Sequence, residues 1–160
     1  MKIYHARLAM PFCVLGVVTE GEALTQIDFL PAETPLLHAQ TPLAREVCAQ
    51  LQAYAADPAF RFDLPLQPLG TPYQHRVWQA LLEIPSGQTA SYGALASQLG
   101  SAPRAVGQAC GANPIPVIIP CHRVLAKTGL GGFMNHAEGS PLQIKRWLLE
   151  HERVQLRTAG

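Results

Sequence analysis

Residues 103–124 read PRAVGQACGANPIPVIIPCHRV, and two kinds of chain meet in that stretch. Pro103–Gly111 opens on a proline, which suits the first turn of a helix, and continues with small residues. Only Arg104 and Gln108 are long and polar. The two glycines weaken such a helix by about 1 kcal/mol each relative to alanine. A helix this bare is poorly equipped for the major groove, where several hydrogen-bonding side chains are needed to tell base pairs apart. It can press its backbone against a groove wall, with one arginine to probe or fill the base stack. Tight packing against a core needs small residues just as much. The next eight residues, Asn113-Pro-Ile-Pro-Val-Ile-Ile-Pro120, are apolar and stiffened by three prolines.

That rigid segment delivers Cys121-His122-Arg123-Val124. A cysteine beside a histidine and a cation is in the setting that lowers a thiol pKa and favours the nucleophilic thiolate. A buried, inert thiol is the alternative reading. In extended chain, neighbouring side chains point to opposite sides. His122 is therefore expected to reach the thiol through a water rather than by contact.

Outward from this stretch the chain reads as short helices. Tyr73–Ile84 places Val77, Ala80, Leu81 and Ile84 on one face, and Pro85-Ser86-Gly87 ends it. Ser91–Leu99 is a second helix, stopped by Gly100. With Pro103–Gly111 behind a three- to four-residue turn, it forms a helix-turn-helix. Ser140–Glu152 closes the chain, with a Ser140/Gln143 capping box and Ile144, Trp147, Leu148 and His151 expected to face inward. Before Gly70 the character differs. Lys2–Leu8, Cys13–Thr19 and Leu24–Phe29 alternate as three antiparallel strands. Pro42–Ala55 follows as a helix with Leu43, Val47, Leu51 and Tyr54 on one stripe. The proline-rich segment Asp63–Pro72 marks a boundary. The expected fold class is α/β, of the α+β kind. A small sheet-plus-helix domain over residues 1–69 precedes a helical, winged helix-turn-helix-like domain over residues 70–160.

At 160 residues, with 48% hydrophobic and 14% charged residues, the chain can bury a core and is not a disordered polymer. No apolar run approaches the roughly 20 residues of a membrane span. The start, MKIYHARLAM, lacks the apolar block and cleavage site of a signal peptide, so a cytoplasmic protein is expected. The net charge of +1 conceals an asymmetry. Residues 1–69 hold four Lys/Arg against seven Asp/Glu, and residues 70–160 eight against four. Between Glu83 and Glu138 there is no acidic residue, while Arg104, Arg123 and Lys127 fall there. Such a stretch suits a polyanion surface, or equally a lightly charged buried segment. The four cysteines, Cys13, Cys48, Cys110 and Cys121, form no C-x-x-C pair, so neither a disulfide framework nor a zinc motif is readable.

Pro120-Cys121-His122-Arg123-Val124 resembles the active-site motif of the O6-alkylguanine-DNA alkyltransferases, the methylated-DNA–protein-cysteine methyltransferases. Its context is similar too, in order: GTPYQHRVWQAL from Gly70, IPSGQTASYGALA from Ile84, the quoted stretch from Pro103, and KRWLLEHE from Lys145. The N-terminal layer fits that family's ribonuclease H-like first domain in outline. The resemblance implies direct-reversal DNA repair without a cofactor. Cys121 would take a methyl or small alkyl group from guanine O6, or from thymine O4, and keep it. His122 would draw the thiol proton through a water, oriented by Glu152, and Asn113 would support the turn that holds the site. Tyr92 would donate to guanine N3, because displaced guanine leaves poorly until a proton neutralises it. Arg104 would replace the extruded nucleotide in the stack. Ala105, Gly107, Gln108 and Arg123 would line the DNA side. The carbonyls of Cys121 and Val124 would accept from the guanine amine, and Pro116, Phe133 and Met134 would border the alkyl pocket. The implied partner is double-stranded DNA, bound through the minor groove without sequence preference by a monomer.

Two departures from the family pattern stand out. Phe133 occupies the place of a usual tyrosine, so a hydroxyl is lost, and the loop 135–140 is longer. The zinc ligands of some members have no counterpart here. Three other readings remain: a non-catalytic alkyl-lesion-binding relative, a sequence-specific winged-helix regulator, and a cysteine hydrolase. Cys121 argues against the first, and the bare Pro103–Gly111 helix against the second. No separate oxyanion-hole motif supports the third.

Overall fold

The computed structural model describes residues 2–127, 129–133 and 140–154, apart from the Ser140 side chain. The chain divides into two compact units, Met1–Leu69 and Gly70–Gly160. It is a mixed α/β structure, with a small antiparallel sheet and five helices among the described residues. No helix among them is long and apolar enough to cross a membrane.

In the first unit, β1 (Ala6–Met10), β2 (Cys13–Glu20) and β3 (Ala23–Leu30) form an antiparallel sheet in the order β1-β2-β3. The two-residue connection Pro11-Phe12 sets Met10 opposite Cys13 and so Ala6 opposite Val17. β1 therefore runs later than the expected Lys2–Leu8: its ladder reaches the turn at Met10 and stops at Ala6, although β2 continues to Glu20 alongside β3. Helix α1 (Pro42–Ala56) packs on the sheet. Thr41 caps it by accepting from Ala44 N at 3.1 Å, which satisfies one of the free N–H groups of its first turn. Ala44, Val47, Leu51 and Tyr54 are buried, with Ala44 rather than Leu43 heading the stripe. Val14, Leu15 and Val17 of β2, a strand buried at six of its eight residues, complete the core.

In the second unit, α2 (Pro72–Leu82) opens on a reciprocal capping box. The Thr71 hydroxyl accepts from Gln74 N, and Gln74 Oε1 accepts from Thr71 N. Helices α3 (Tyr92–Leu99) and α4 (Pro103–Gly111) pack on each other and on α2. Gly100 between them adopts φ 63°, a left-handed C-cap that glycine reaches without strain. Strands β4 (Ala90–Ser91) and β5 (Val124–Leu125) pair in parallel, a contact with no periodic signal in the sequence. Helix α5 (Ser140–His151) buries Ile144, Lys145, Leu148 and Leu149. Trp147 and His151, expected inside, are only half-buried and stack on each other at 4.7 Å between ring centres. The inward stripe therefore runs Lys145, Leu148, Leu149, Glu152.

Candidate active site around Cys121

The segment ahead of Cys121 is held by one side chain. Asn113, 1% exposed, accepts from Ile115 N at 2.9 Å through Oδ1 and donates from Nδ2 to Ile119 O at 2.8 Å. Ile119 N donates back to Ile115 O, and Cys121 N to Ile119 O. Within this closed turn Val117 adopts φ 74° while buried. A β-branched residue in the left-handed region is strained, and such strain persists only where the surroundings over-determine it. Ile115, Pro116, Ile118 and Ile119 are buried around it, so the apolar run serves as a packed mount for the turn that carries Cys121.

Cys121–Arg123 form a single 3₁₀ turn rather than the expected extended chain. Cys121 is 2% exposed. Its thiol is pushed up to about 11, because burial outweighs the stabilising hydrogen bond from Asn113 and the charge of Lys145. The lowered pKa expected from its sequence neighbours is therefore not found, and the resting group is a protonated thiol. The reason is geometric. The Arg123 guanidinium turns from the sulfur toward Glu152, donating Nε to Oε1 at 2.9 Å and Nη2 to Oε2 at 3.0 Å. Its Nη1 donates to Ile84 O at 2.6 Å. Those donors are committed inside the protein, so the side chain expected on the DNA side is an internal clamp.

His122 is completely buried, with Nε2 2.8 Å from Glu152 Oε2. Burial lowers its pKa, against the opposing pull of the Glu152 carboxylate. Burial also works against the charge on Glu152, but hydrogen bonds from His122 and Arg123 hold that carboxyl well below the usual range. A neutral imidazole that donates from Nε2 to a carboxylate carries its lone pair on Nδ1. Nδ1 is buried and has no hydrogen-bond partner among the described residues. The ring thus offers a fixed, unengaged base.

Lys145 was missed by sequence reasoning. It is buried completely, and its ammonium donates to Val124 O and to Gly132 O, each at 2.8 Å. Burial lowers its pKa to about 8, with the nearby thiols Cys121 and Cys110 pulling the other way. The signal was available, since Lys145 heads the same i, i+3, i+4, i+7 stripe as Leu148, Leu149 and Glu152. Tyr92, at the start of α3, directs its hydroxyl to Gly132 O at a long 3.4 Å, with the Lys145 nitrogen 5.9 Å from its ring centre. Burial raises the Tyr92 pKa. Gly131, at φ 73°, lets the chain turn where a Cβ would meet the Tyr92 ring and the Ala126 nitrogen, each at 3.1 Å.

On α4, Arg104 and Gln108 are exposed, Ala105 and Gly107 half-buried, and Val106, Ala109 and Cys110 face the core. Phe133 is buried. Met134 and most of the loop 135–140 lie outside the described residues. Among those described, no group of three or more His, Cys, Asp or Glu side chains could hold a metal ion.

Comparison with known proteins agrees with this geometry. Residues 72–154 match the family model described as 6-O-methylguanine DNA methyltransferase, DNA binding domain. The constitutive methylated-DNA–protein-cysteine methyltransferase of Bacillus subtilis is 45% identical over 162 residues, covering 94% of this chain and 96% of that protein. The methyltransferase of the same name from Mycobacterium bovis is 50% identical, covering 94% and 93%. Among solved structures, the O6-methylguanine methyltransferase of Mycobacterium tuberculosis superposes with a TM-score of 0.79 at 38% identity, covering 94% of this chain and 93% of that one. A crystal structure of the Mycobacterium tuberculosis protein in complex with DNA gives 0.76 at 40% identity, covering 92% and 91%. With its cysteine, histidine and glutamate assembled in one buried cluster and near-full-length relatives at these identities, the chain belongs to the 6-O-methylguanine DNA methyltransferase family.

Proposed function

We propose that this protein repairs alkylated DNA directly, in the cytoplasm, by moving a methyl or small alkyl group from guanine O6, or thymine O4, onto Cys121, once per molecule. The observation that carries the reading is the buried His122, fixed by Glu152 through Nε2 and unengaged at Nδ1. A thiol that titrates near 11 must lose its proton as it reacts, and His122 Nδ1 is the base to draw it, through one water. The sulfur then bonds to the alkyl carbon while the carbon–oxygen bond breaks and leaves its electrons on the guanine. A proton from Tyr92 to N3 neutralises that leaving group, and the proton taken by His122 is passed on, through solvent, to restore the Tyr92 hydroxyl. In sum, the alkyl group replaces hydrogen on sulfur and hydrogen replaces the alkyl group on the base. The thioether product is not hydrolysed under cellular conditions, so the site reacts once.

The remaining roles belong to the same reading. A base within a duplex is unreachable and must be flipped out, which costs a few kcal/mol. Arg104, exposed on α4, fills the gap, while Ala105, Gly107 and Gln108 lie along the minor groove. The carbonyls of Cys121 and Val124 accept from the guanine amine, Val124 with the lone pair that Lys145 leaves open. Pro116, Phe133 and Met134 border the alkyl group, and Asn113 keeps the mount rigid. Residues 70–160 carry this chemistry on a monomer, and the ribonuclease H-like residues 1–69 support it.

The test is intact-protein mass after incubation with a duplex carrying O6-methylguanine. The reading predicts a gain of one methyl, mapped to the Cys121 peptide and absent from C121A, which still binds DNA. Tight lesion binding without a mass gain would overturn it in favour of a non-catalytic damage sensor.

A further inference from the structure

Arg123, Glu152 and His122 form one buried charge cluster, and its count of charges bears on the base. At rest it holds a guanidinium, a carboxylate and a neutral imidazole, so the cluster is neutral. Glu152 Oε2 is shared: His122 Nε2 lies 2.8 Å from it and Arg123 Nη2 3.0 Å, while Arg123 Nε occupies Oε1. The arginine fork is itself anchored by Ile84 O, so the carboxylate cannot turn to give the imidazole both oxygens. We infer that Arg123 is a positioning residue for the transfer: by pairing with Glu152 it keeps His122 neutral at rest, with Nδ1 open to receive the thiol proton. The inference rests on the proposed function.

The physical argument is a competition for one carboxylate. A buried carboxylate without a cation partner favours a proton on its neighbour, so without Arg123 the His122–Glu152 pair would rest as imidazolium and carboxylate. An imidazolium cannot take the thiol proton. With Arg123 in place, protonating His122 would set two cations on one carboxylate, with a third cation, Lys145, acting on the ring from α5. Cys121 flanks His122 on its own turn as a protonated thiol. Helix α2, also packed on the turn, buries only the uncharged Val77, Trp78, Ala80 and Leu81; of its other groups, Arg76 is exposed and donates to Leu99 O, and His75 packs edge-on against Trp78. Burial works in the same direction as Arg123, and Glu152 is the group opposing both.

The test is the rate of methyl transfer from an O6-methylguanine duplex across about pH 5 to pH 9, for the wild type, R123Q and R123K. R123Q should move the acid limb of the profile upward by about one unit or more. Well below the limb it should react about tenfold more slowly, and above the limb at least as fast as R123K. R123K keeps the charge without the fork, so its limb should stay with the wild type while its plateau falls. Removing both charges, as R123Q/E152Q, should bring the limb back toward its original position. A uniform slowing of R123Q at every pH, with the limb unmoved, would overturn the inference and leave Arg123 an anchor only. If R123Q does not fold, a one-unit shift in R123K overturns it equally. Absence of any methyl transfer in the wild type would sink the proposed function instead, so the two failures are distinguishable.

Discussion

The ammonium of Lys145 lies 2.8 Å from the carbonyl oxygen of Val124, three residues beyond the thiol of Cys121, and no part of the lysine reaches solvent. The same nitrogen holds Gly132 O, so one side chain joins strand β5 to the segment facing Tyr92. Removing it takes the ammonium from both carbonyls and leaves Gly132 O the long Tyr92 contact. K145M, which keeps the apolar stem, should lower unfolding stability by about 1–3 kcal/mol at neutral pH. K145A should lose more, because it adds a cavity. Urea denaturation measures both. The Cys121 thiol should also titrate higher in K145M, since Lys145 is one of the groups holding it down. Cysteine-labelled NMR would detect that, and an unchanged titration would show that the ammonium does not act on the sulfur.

Asn113 offers a second test. N113A removes an acceptor from Ile115 N and a donor from Ile119 O inside the core, which should cost about 2–4 kcal/mol. N113D keeps the acceptor but sets a carboxylate against Ile119 O, so it should not restore the wild-type value. Thermal melting of the two variants decides the point. Equal stability of N113D and wild type would show that the Ile119 bond carries little.

The role proposed for Arg104 is separable from folding. It is exposed on α4, so R104A should change stability by no more than about 0.5 kcal/mol. Activity on duplex DNA should nevertheless fall far more than reaction with a free modified base. Equal losses on both substrates would overturn the base-extrusion role proposed for it.

Acid should destabilise the protein in two stages. His122 has a lowered pKa when folded, so below its ordinary 6.5 the unfolded chain binds a proton that the native state refuses. Stability therefore declines as pH drops through that value. Glu152 is also held low when folded, and its contribution is lost as pH falls below its ordinary 4.5. Chemical denaturation as a function of pH should show both declines, and E152Q should flatten the lower one. Stability rising toward acid across this range would contradict the buried pair.

The local devices were legible where they depend on neighbours in sequence. Pro103 opened α4, Gly100 closed α3, and the stripe of α1 was right to within one residue. The capping box expected at Ser140 and Gln143 involves a side chain outside the described residues; Thr71 and Gln74 carry the same pattern and form one. What escaped depends on distance along the chain. Arg123 meets Glu152 across 29 residues, and Lys145 meets Val124 across 21. No spacing rule connects such positions. The thiol misled for a related reason: its sequence neighbours are cationic or titratable, but the turn aims them elsewhere, and burial decides its pKa.

Val117 carries a consequence beyond the turn it sits in. Its φ of 74° is held by the packing and by the Asn113 bonds around it, so the cost of aligning the chain ahead of Cys121 is met once, when the protein folds. Under the proposed single transfer to Cys121, no later cycle exists in which a misaligned first attempt could be corrected. The mount is accordingly set like the sear of a cocked mechanism: under load beforehand, and with nothing left to arrange when the substrate arrives.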